Sequence, residues 1–364
     1  MSERVVFVSG SDADRNTSRP TMREVAALSG VSLKTVSRVI NGESGVSAQL
    51  VDRVVEAARR LDYQQNLTAS NLRRNGGKTR TIGLLLENVA NPYESVLHRC
   101  IEEFARDRGV TVLAGSLDED PERERDLALE FISRRVDGLI VMPAGGSDHS
   151  YLANERRSGT PMVFVDRPAV HLDADIVLTN NLLGSRQAVE RLVSMGHRRI
   201  AFLGDMPSLF TATERFDGYQ EALDRAGIPT EADLVRRGLR SSEQAQEAVE
   251  DMFSQRHVPT AIFASQNLVT IGAIRALHRM RLEHTVALIG FDQLPLVDLL
   301  SPGVTTVEQD VAAIGAAAAE LLFRRLDGDR GPAVLRRFPT TLIPRGSGEL
   351  GVSEAVEFSH RQRR

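Results

Sequence analysis

Residues 21–41, TMREVAALSGVSLKTVSRVIN, contain two short helical patterns on either side of a glycine. Ala26 is small enough for two helices to approach each other closely, and Val36 can fill the gap between them. Gly30 can adopt the positive φ of a sharp turn, and Ser32 can cap the helix that follows. The spacing is typical of a helix-turn-helix, but by itself it fits a helical hairpin with a solvated polar face equally well.

The second helical pattern would present a polar, cationic outer face formed by Leu33, Lys34, Ser37 and Arg38. In a helix-turn-helix, the first turn of the second helix points into the major groove of DNA. If the motif is genuine, these side chains are therefore candidates for contact with base edges and phosphates.

Charge is distributed unevenly along the chain. Residues 21–80 contain ten lysines and arginines against five acidic residues, a net of +5. Residues 81–364 carry a net of −9, and residues 1–20 are balanced, which gives the total of −4. A basic segment joined to an acidic body suggests that the basic segment meets a polyanion such as nucleic acid.

The length of 364 residues exceeds one ordinary hydrophobic core and suggests two or three domains. The contents of 41% hydrophobic and 26% charged residues are typical of soluble globular proteins. The single cysteine, Cys100, excludes an intramolecular disulfide. The start, MSERVVFVSGSDADRN, is not a secretory signal, and no apolar segment approaches the roughly 20 residues that span a bilayer. We therefore expect a cytoplasmic protein.

The pattern along the chain predicts five segments. Residues 1–20 lack periodicity and indicate a disordered arm, and residues 21–64 indicate a three-helix headpiece. Residues 65–79 are polar and indicate a hinge helix and linker. Residues 80–345 form a larger body, and residues 346–364 lack a sustained apolar pattern and indicate a disordered tail.

The third helix of the headpiece is predicted over about Ala48–Leu61. Apolar residues at Leu50, Val54 and Ala57 follow helical spacing, and Ser47 is a candidate N-cap.

The body alternates β-rich runs such as TIGLLLE, PMVFV and RRIAFLG with helical stretches, among them Arg215–Ala226 and Val269–Met280. This alternation is typical of parallel sheets with crossover helices. Two successive α/β units predict two lobes. The first covers about 80–180 and 308–345, and the second covers about 181–307.

The segment from Thr21 to Asn75, which continues through NGESGVSAQLVDRVVEAARRLDYQQNLTASNLRRN, resembles the DNA-binding headpiece of the LacI/GalR family of bacterial repressors. The resemblance extends through the body in GHRRIAFLGD, ERFDGYQEAL, IGAIRAL and ALIGFDQ. It implies an all-α helix-turn-helix headpiece followed by a two-lobed body of the periplasmic-binding-protein fold, with three crossovers and a ligand in the cleft.

The resemblance implies which headpiece residues contact DNA. The family's base-reading positions are matched by Leu33, Lys34 and Arg38. The family's phosphate-contacting positions are matched by Thr21, Thr35, Ser37 and Asn41. Lysine and arginine can donate to guanine O6 and N7, and leucine can pack on a thymine methyl group. Phosphate contacts fix register without reading sequence.

In the linker, NLTASNLRR matches the family's hinge helix. Leu72 stands where the family inserts a leucine into the minor groove, and Arg73 would lie beside it. The sequence departs from the family pattern at Gln65, where proline is usual, and at Ser70, where a basic residue is common. These departures weaken the expectation that the hinge orders readily on DNA.

Seven body residues are predicted to face the ligand. By family position these are Arg215 and Asp292, with further candidates at Tyr93, Asp166, Arg167, Gln266 and Asn267. An arginine and an aspartate that donate to and accept from adjacent hydroxyls suit a sugar-like ligand. Each of the pair could instead be part of a structural ion pair, and the wall residues could equally be structural. The identity of the ligand stays open.

Motifs for catalysis are missing from the sequence. It has no phosphate-binding Gly-Lys-Ser/Thr loop, no G-x-S-x-G elbow, no H-E-x-x-H and no cysteine–histidine spacing for a metal. We expect no enzyme activity, no cofactor and no metal. A pure solute-binding protein is the main rival interpretation, and the headpiece argues against it.

Together these observations predict a cytoplasmic, nucleoid-associated transcriptional regulator, most simply a repressor. It would bind a near-palindromic operator as a homodimer, because one headpiece covers one half-site. The end of the chain, GSGELGVSEAVEFSHRQRR, has no leucine heptad for a tetramer, so the dimer would form through the body. Whether the ligand releases DNA or promotes its binding stays open.

Overall fold

The computed structural model describes residues 20–40, 43–63 and 78–352. The chain divides between Thr79 and Arg80 into two compact units. The first unit contains the headpiece and the second is the body, and each is described by itself.

The headpiece consists of three helices: α1 (Met22–Ser29), α2 (Leu33–Ile40) and α3 (Ala48–Arg60). Thr21 caps α1 in a reciprocal arrangement with Glu24, and Gly30 ends the helix with a φ of 65°. The left-handed conformation at Gly30 turns the chain sharply enough for α2 to fold back on α1. The three helices occupy the positions that the sequence predicts.

Val25, Val36 and Val54 form the centre of the headpiece core, one from each helix, and all three are fully buried. The Ser32 hydroxyl accepts the N–H of Thr35 at 3.1 Å and so caps α2, as expected. The expected side-chain cap of α3 is not made: Ser47 stands at the N-cap, but its hydroxyl forms no capping bond. The N–H groups of the first turn bond to the Ser47 carbonyl oxygen instead.

The body contains eight α-helices and twelve strands in the part of the chain that the structure describes. The helices are α4 (Pro92–Arg106), α5 (Pro121–Ser133), α6 (Ala153–Ser158), α7 (Asn181–Ser194), α8 (Phe210–Arg225), α9 (Ser242–Ser254), α10 (Asn267–Met280) and α11 (Val311–Leu326). The strands are β1 (Thr81–Leu86), β2 (Thr111–Ser116), β3 (Leu139–Val141), β4 (Met162–Val165), β5 (Asp175–Thr179), β6 (Ile200–Leu203), β7 (Val235–Arg236), β8 (Ala261–Ala264), β9 (Ala287–Phe291), β10 (Thr305–Gln309), β11 (Leu335–Phe338) and β12 (Thr340–Ile343).

The strands form two six-stranded sheets, one in each lobe. The first sheet has the order β11-β5-β4-β3-β1-β2 and is parallel throughout. The second has the order β12-β10-β9-β8-β6-β7 and is parallel except for β12, which runs antiparallel to β10. The central strands are continuous runs of buried apolar residues because helices cover both faces of each sheet.

The chain passes between the lobes three times, as the resemblance implies. The crossovers lie between β5 and α7, between β10 and α11, and between β11 and β12. Helix α11 belongs to the first lobe, because Ile314, Leu321 and Leu322 are buried in that lobe's core.

The predicted lobe boundary needs correction at two places. Residues 308–309 and 340–345 were expected in the first lobe, but β10 and β12 are neighbours in the second sheet, with Thr306 opposite Ile343. The sheets divide between Phe338 and Thr340, so the last crossover occurs within two residues. Local patterning does not reveal this exchange, because the residues of a strand do not indicate which sheet the strand joins.

The predicted disordered tail also needs correction. Residues 346–352 are described by the structure, and Ser347–Glu349 form a short 3₁₀ helix against the second sheet. The Ser347 hydroxyl accepts the N–H of Thr305 at 2.9 Å and donates to the carbonyl oxygen of Leu288 at 2.5 Å. This segment thereby forms hydrogen bonds with buried backbone groups of β9 and β10. Residues 353–364 lie outside the described part of the chain.

None of the helices in the described ranges has both the length and the apolar character needed to cross a membrane.

Replacing Ser347 by alanine leaves the Leu288 carbonyl and the Thr305 N–H without their partner. We expect the free energy of unfolding to fall by about 1–3 kcal/mol, measured by urea denaturation. Ser254→Ala is the matched control, because the exposed Ser254 hydroxyl bonds only to the Asp251 carbonyl of its own helix. Equal stability of the two variants would contradict the structural role of the 346–352 segment.

Candidate functional site

The outer face of α2 is the first candidate site. Leu33 is 45% exposed, and Lys34 is exposed beside it. Both border a shallow surface cavity together with Ser37 and Thr21. The structure thus brings four of the predicted DNA-contacting residues to one surface of the headpiece. Arg23 lies at the same surface, and the sequence analysis did not select it although it is a cation at the start of α1.

The predicted base-reading Arg38 is partly engaged within the headpiece. Its guanidinium donates to the carbonyl oxygen of Ser44, and its Nε lies 3.7 Å from the Glu43 carboxylate. Both members of the ion pair are more than one-third exposed, so the pair contributes little to stability. A phosphate or a guanine can therefore compete for this guanidinium at small cost.

The predicted phosphate-contacting residues differ in how far their hydroxyls are already used. Thr21 donates its hydroxyl to Glu24 at 2.8 Å, and the Thr21 backbone N–H, the largest cause, lowers the pKa of the Glu24 carboxyl. The Thr35 hydroxyl lies 2.9 Å from that of Ser32. Asn41, like Leu72 and Arg73 of the predicted hinge, lies outside the described residues. The DNA roles of all these residues stay predictions.

The second candidate site is a cleft at the carboxyl ends of the parallel strands of both sheets, where open α/β sheets bind ligands. A cavity that opens to solvent lies there. All seven residues predicted to face the ligand line it: Tyr93, Asp166, Arg167, Arg215, Gln266, Asn267 and Asp292. The structure therefore brings together residues that are up to about 200 positions apart in the sequence.

Arg215, on α8, is held from three sides. Its Nε donates to Asn181 Oδ1 at 2.8 Å, and Nη1 donates to the Ser265 carbonyl at 2.8 Å. Its guanidinium lies 3.9 Å from the centroid of the Phe291 ring. The Asp292 carboxylate is 4.0 Å away. Arg215 is thus preorganised by the fold, and it carries a structural role whether or not it meets a ligand.

Asp292 follows β9 with a φ of 72°, in the left-handed region, so the chain turns immediately after the strand. Its Oδ1 accepts the side-chain amide of Gln309 at 2.6 Å. Gln309 also lines the cavity, and the sequence analysis did not select it. Its position as the last residue of β10 is the signal that could have found it.

Asp166 and Arg167 follow β4, as predicted, and both are buried. Arg167 donates to the Pro143 carbonyl at 2.6 Å and lies 2.6 Å from Glu119 and 3.5 Å from Asp166. Burial lowers the pKa of Arg167, but the carboxylates of Glu119, Asp166 and Glu87 together outweigh burial and raise the pKa overall. Most of this guanidinium is therefore committed to the protein.

Gln266 and Asn267 begin α10. The Gln266 side chain accepts the N–H of Val269 at 3.1 Å and serves as the helix cap. Asn267 Nδ2 donates to Asn91 Oδ1 at 2.7 Å and so links the second lobe to the first. The Tyr93 hydroxyl is buried without a hydrogen-bond partner among the described residues, and burial raises its pKa.

Three acids of the cleft were not predicted: Glu87, Glu94 and Asp205. Burial and the nearby Glu119 raise the pKa of Glu87 to about 7, and burial raises that of Glu94 to about 9. Burial also raises the pKa of Asp205. Glu87 directly follows β1, and one residue separates Asp205 from the end of β6. A search for polar residues at the carboxyl ends of strands would therefore have found both. Glu94 lies within α4 and gives no such signal.

Comparison with known proteins identifies both units. The family described as bacterial regulatory proteins, lacI family, matches residues 21–66, and the periplasmic binding protein-like domain matches residues 189–348. The ribose operon repressor of Halalkalibacterium halodurans is 30% identical over 91% of this chain and 98% of its own length. The chain belongs to the lacI family.

Two further relatives support this membership. The transcriptional repressor PurR of Histophilus somni is 28% identical over 84% of this chain and 92% of its own length. The lac repressor dimer bound to operator and the anti-inducer ONPF is 26% identical, with a TM-score of 0.76 over 91% of this chain and 99% of that one. The predicted family and the predicted fold are therefore confirmed, whereas the role of each site residue in this family member stays a prediction.

Replacing Arg215 by methionine tests whether this arginine supports the fold as well as the site. The change removes the donors to Asn181 and to the Ser265 carbonyl, so we expect the free energy of unfolding to fall by about 1–3 kcal/mol or more. Arg156→Met is the control, because Arg156 is exposed and pairs only with the exposed Asp173. Unchanged stability in urea would show that Arg215 has no structural role.

Proposed function

We propose that this chain is a sequence-specific transcriptional repressor. It binds a near-palindromic DNA operator as a homodimer, and a small molecule in the body cleft, a sugar or sugar derivative, changes its DNA affinity. The observation that carries the proposal is the presence on one chain of an exposed cationic helix-turn-helix surface and a polar cleft between the two lobes of the body. Relatives of nearly full length carry the names of ribose operon repressor, PurR and lac repressor.

The headpiece supports the DNA-binding part of the proposal by its chemistry. Lys34 and Arg38 can donate to guanine in the major groove, and the exposed Leu33 can pack on a thymine methyl group. Thr21, Thr35 and Ser37 surround them with short polar side chains suited to phosphate oxygens. The hydrophobic core of the three helices is built from other residues, so this face is not required for folding.

An apolar surface of the body supports the dimer. Val96 is 46% exposed and borders a surface cavity with Pro295, above the buried Leu294. Leu296 and Leu299, in the loop that follows, are 67% and 75% exposed. Contiguous exposed apolar side chains are typical of protein–protein interfaces. A second copy of the body is the occupant that a two-half-site operator requires.

The cleft supports ligand control because it joins the two lobes. Asn267 bonds to Asn91 across the cleft, and Arg240 of the second lobe donates to the Asp118 carbonyl of the first at 3.2 Å. A ligand that contacts both walls binds one arrangement of the lobes better than another. That difference in affinity, commonly about 1–3 kcal/mol, is the coupling between ligand and DNA.

The proposal assigns no reaction to the cleft, and it places the protein in the cytoplasm at the nucleoid. The relatives carry the names of repressors. A pure solute-binding protein is the alternative that the body alone would suggest, and the headpiece argues against it.

The direct test is a mobility-shift titration of promoter fragments from the source organism, with and without candidate sugars. Absence of specific binding to any fragment would overturn the proposal.

Arg38→Ala tests base recognition. We expect it to weaken operator binding by about 1–3 kcal/mol and to relax the preference at one base position in each half-site. The control is Lys34→Ala, which should relax a different position. The measurement is selection from a randomised operator library, together with salt titration. An unchanged selected motif for the Arg38 variant would show that Arg38 does not read a base.

Asp292→Asn tests the ligand site with little change in shape. We expect operator affinity without ligand to stay nearly the same, because no part of the headpiece is altered. The response of operator binding to ligand should be lost, because the amide is a weaker acceptor for two hydroxyls. Fluorescence anisotropy with labelled operator measures both quantities. A variant that loses operator binding and ligand response together would place Asp292 in the fold rather than in the site.

A further inference from the structure

The cleft contains more acidic than basic side chains. Its lining includes five carboxylates, Glu87, Glu94, Asp166, Asp205 and Asp292, against two arginines, Arg167 and Arg215. Glu87, Glu94 and Asp205 were not selected from the sequence, and we call them the acidic trio. Such an excess of acids is unfavourable in a buried site unless something compensates for it.

The two arginines compensate the acidic trio only in part. Arg167 lies 2.6 Å from Glu119 but 3.9 Å from Glu87, and Arg215 is nearest to Asp292. In the described ranges Glu94 and Asp205 have no ion-pair partner, and their carboxylates accept only the backbone N–H groups of Asn88 and Met206. Two carboxylates of the trio therefore have no cation within ion-pair distance in the described ranges, and Glu87 has only the longer contact with Arg167.

The acidic trio spans both walls of the cleft. Glu87 and Glu94 belong to the first lobe, and Asp205 belongs to the second. Ionised carboxylates on opposite walls repel each other and oppose closure of the lobes. A cation bound between them would reverse the sign of this interaction and would favour the closed arrangement.

A second observation indicates a ligand in the same cavity. Ser265 lines it and is only 1% exposed, yet its hydroxyl has no hydrogen-bond partner in the part of the chain that is described. A buried hydroxyl without a partner is costly, and a ligand hydroxyl would satisfy it. Ser265 and the Arg215–Asp292 pair thus provide polar contacts for hydroxyl groups in the same cavity.

We propose that the ligand of this cleft is an amino polyol, whose hydroxyl groups meet the Arg215–Asp292 pair and whose protonated amine lies among the acidic trio. This inference rests on the proposed function, in which the cleft is the regulatory site, and it names the chemical class of the regulator. It excludes phosphorylated sugars, because an added anion would face three carboxylates.

The pKa values of the trio predict how the affinity for the ligand changes with pH. Glu119, Asp205, Arg167 and Arg240 all face Glu87, whose pKa burial and Glu119 raise to about 7. Glu87, Asp166 and Arg167 face Glu94, whose pKa burial raises to about 9. An ammonium group favours the ionised carboxylates, so its affinity rises with pH through this range and binding releases protons. A neutral polyol that accepts a hydrogen bond from protonated Glu94 would show the opposite dependence.

The test uses pairs of probes that differ by one group. Glycerol and 2-amino-1,3-propanediol differ by one hydroxyl replaced with an amine, as do D-glucose and D-glucosamine, and D-glucose 6-phosphate supplies the anion. Calorimetry on the full chain should show that at least one amine binds about tenfold or more tightly than its neutral partner. Its affinity should increase between about pH 6 and pH 8.

Glu94→Gln and Asp205→Asn should each remove the preference for the amine, whereas Glu102→Gln should keep it. Glu102 is the matched control, because it lies exposed on the same helix as Glu94. Two variants from different lobes keep the test valid if one fails to fold, which circular dichroism would show.

Equal or tighter binding of the neutral members, tighter binding of the phosphate, or no binding of either amine would overturn the proposal. So would a preference that persists in both variants. Operator binding, measured in parallel, separates this failure from that of the proposed function. A protein that binds its operator and responds to a neutral sugar would leave the repressor function intact and refute the amino polyol.

Discussion

The Gln309 side chain joins the chain crossovers to the ligand cleft. Its amide oxygen accepts the hydroxyl of Thr179, the last residue of β5, and its amide nitrogen donates to Asp292. Thr179 and Gln309 are the residues at which the chain leaves one lobe for the other. A change in the angle between the lobes therefore acts on a hydrogen-bonded chain that ends on a cleft-lining carboxylate. This connection gives the cleft a physical route by which occupancy can alter the shape of the body.

The headpiece and the body differ in whether the residues of the candidate site also stabilise the fold. In the headpiece, three valines form the core and the polar outer face of α2 is independent of it. In the cleft, Arg215 and Arg167 both hold the fold together and line the site. Substitutions in the headpiece can therefore alter recognition with little change in stability, whereas substitutions in the cleft affect both. The reason is that the cleft is buried, and most buried polar groups are hydrogen-bonded.

The buried acids of the cleft show that the body is not arranged for stability alone. Glu94 and Asp205 lie in an environment that disfavours their charged forms. Neither forms an ion pair in the described ranges, and the more distant Arg167 offsets the effect of burial only in part. Burial of an uncompensated carboxylate is among the less favourable arrangements in a protein interior. Such residues are commonly found at functional sites, where a ligand supplies the missing partner.

The sequence by itself determined the class of fold, the family and the positions of the headpiece helices. The helix-turn-helix spacing depends on local requirements: a small residue at Ala26, a left-handed turn at Gly30 and a buried Val36. Strand ends were also visible in the sequence, and with the family positions they indicated the seven residues that line the cleft. By the same rule Glu87 and Asp205 could have been found, because each follows a strand closely.

Only the tertiary structure decided which lobe each late strand joins, that residues 346–352 are held against the second sheet, and that Glu94 faces the cleft. The helix predicted to begin at Arg215 begins at Phe210 in the structure, and the helix predicted to begin at Val269 begins at Asn267. Strand pairing between β10 and β12, and the bonds of Ser347 to two strands, join residues about 35 to 60 positions apart. Periodicity reports which face of an element is buried, but it carries no information about which distant element covers that face.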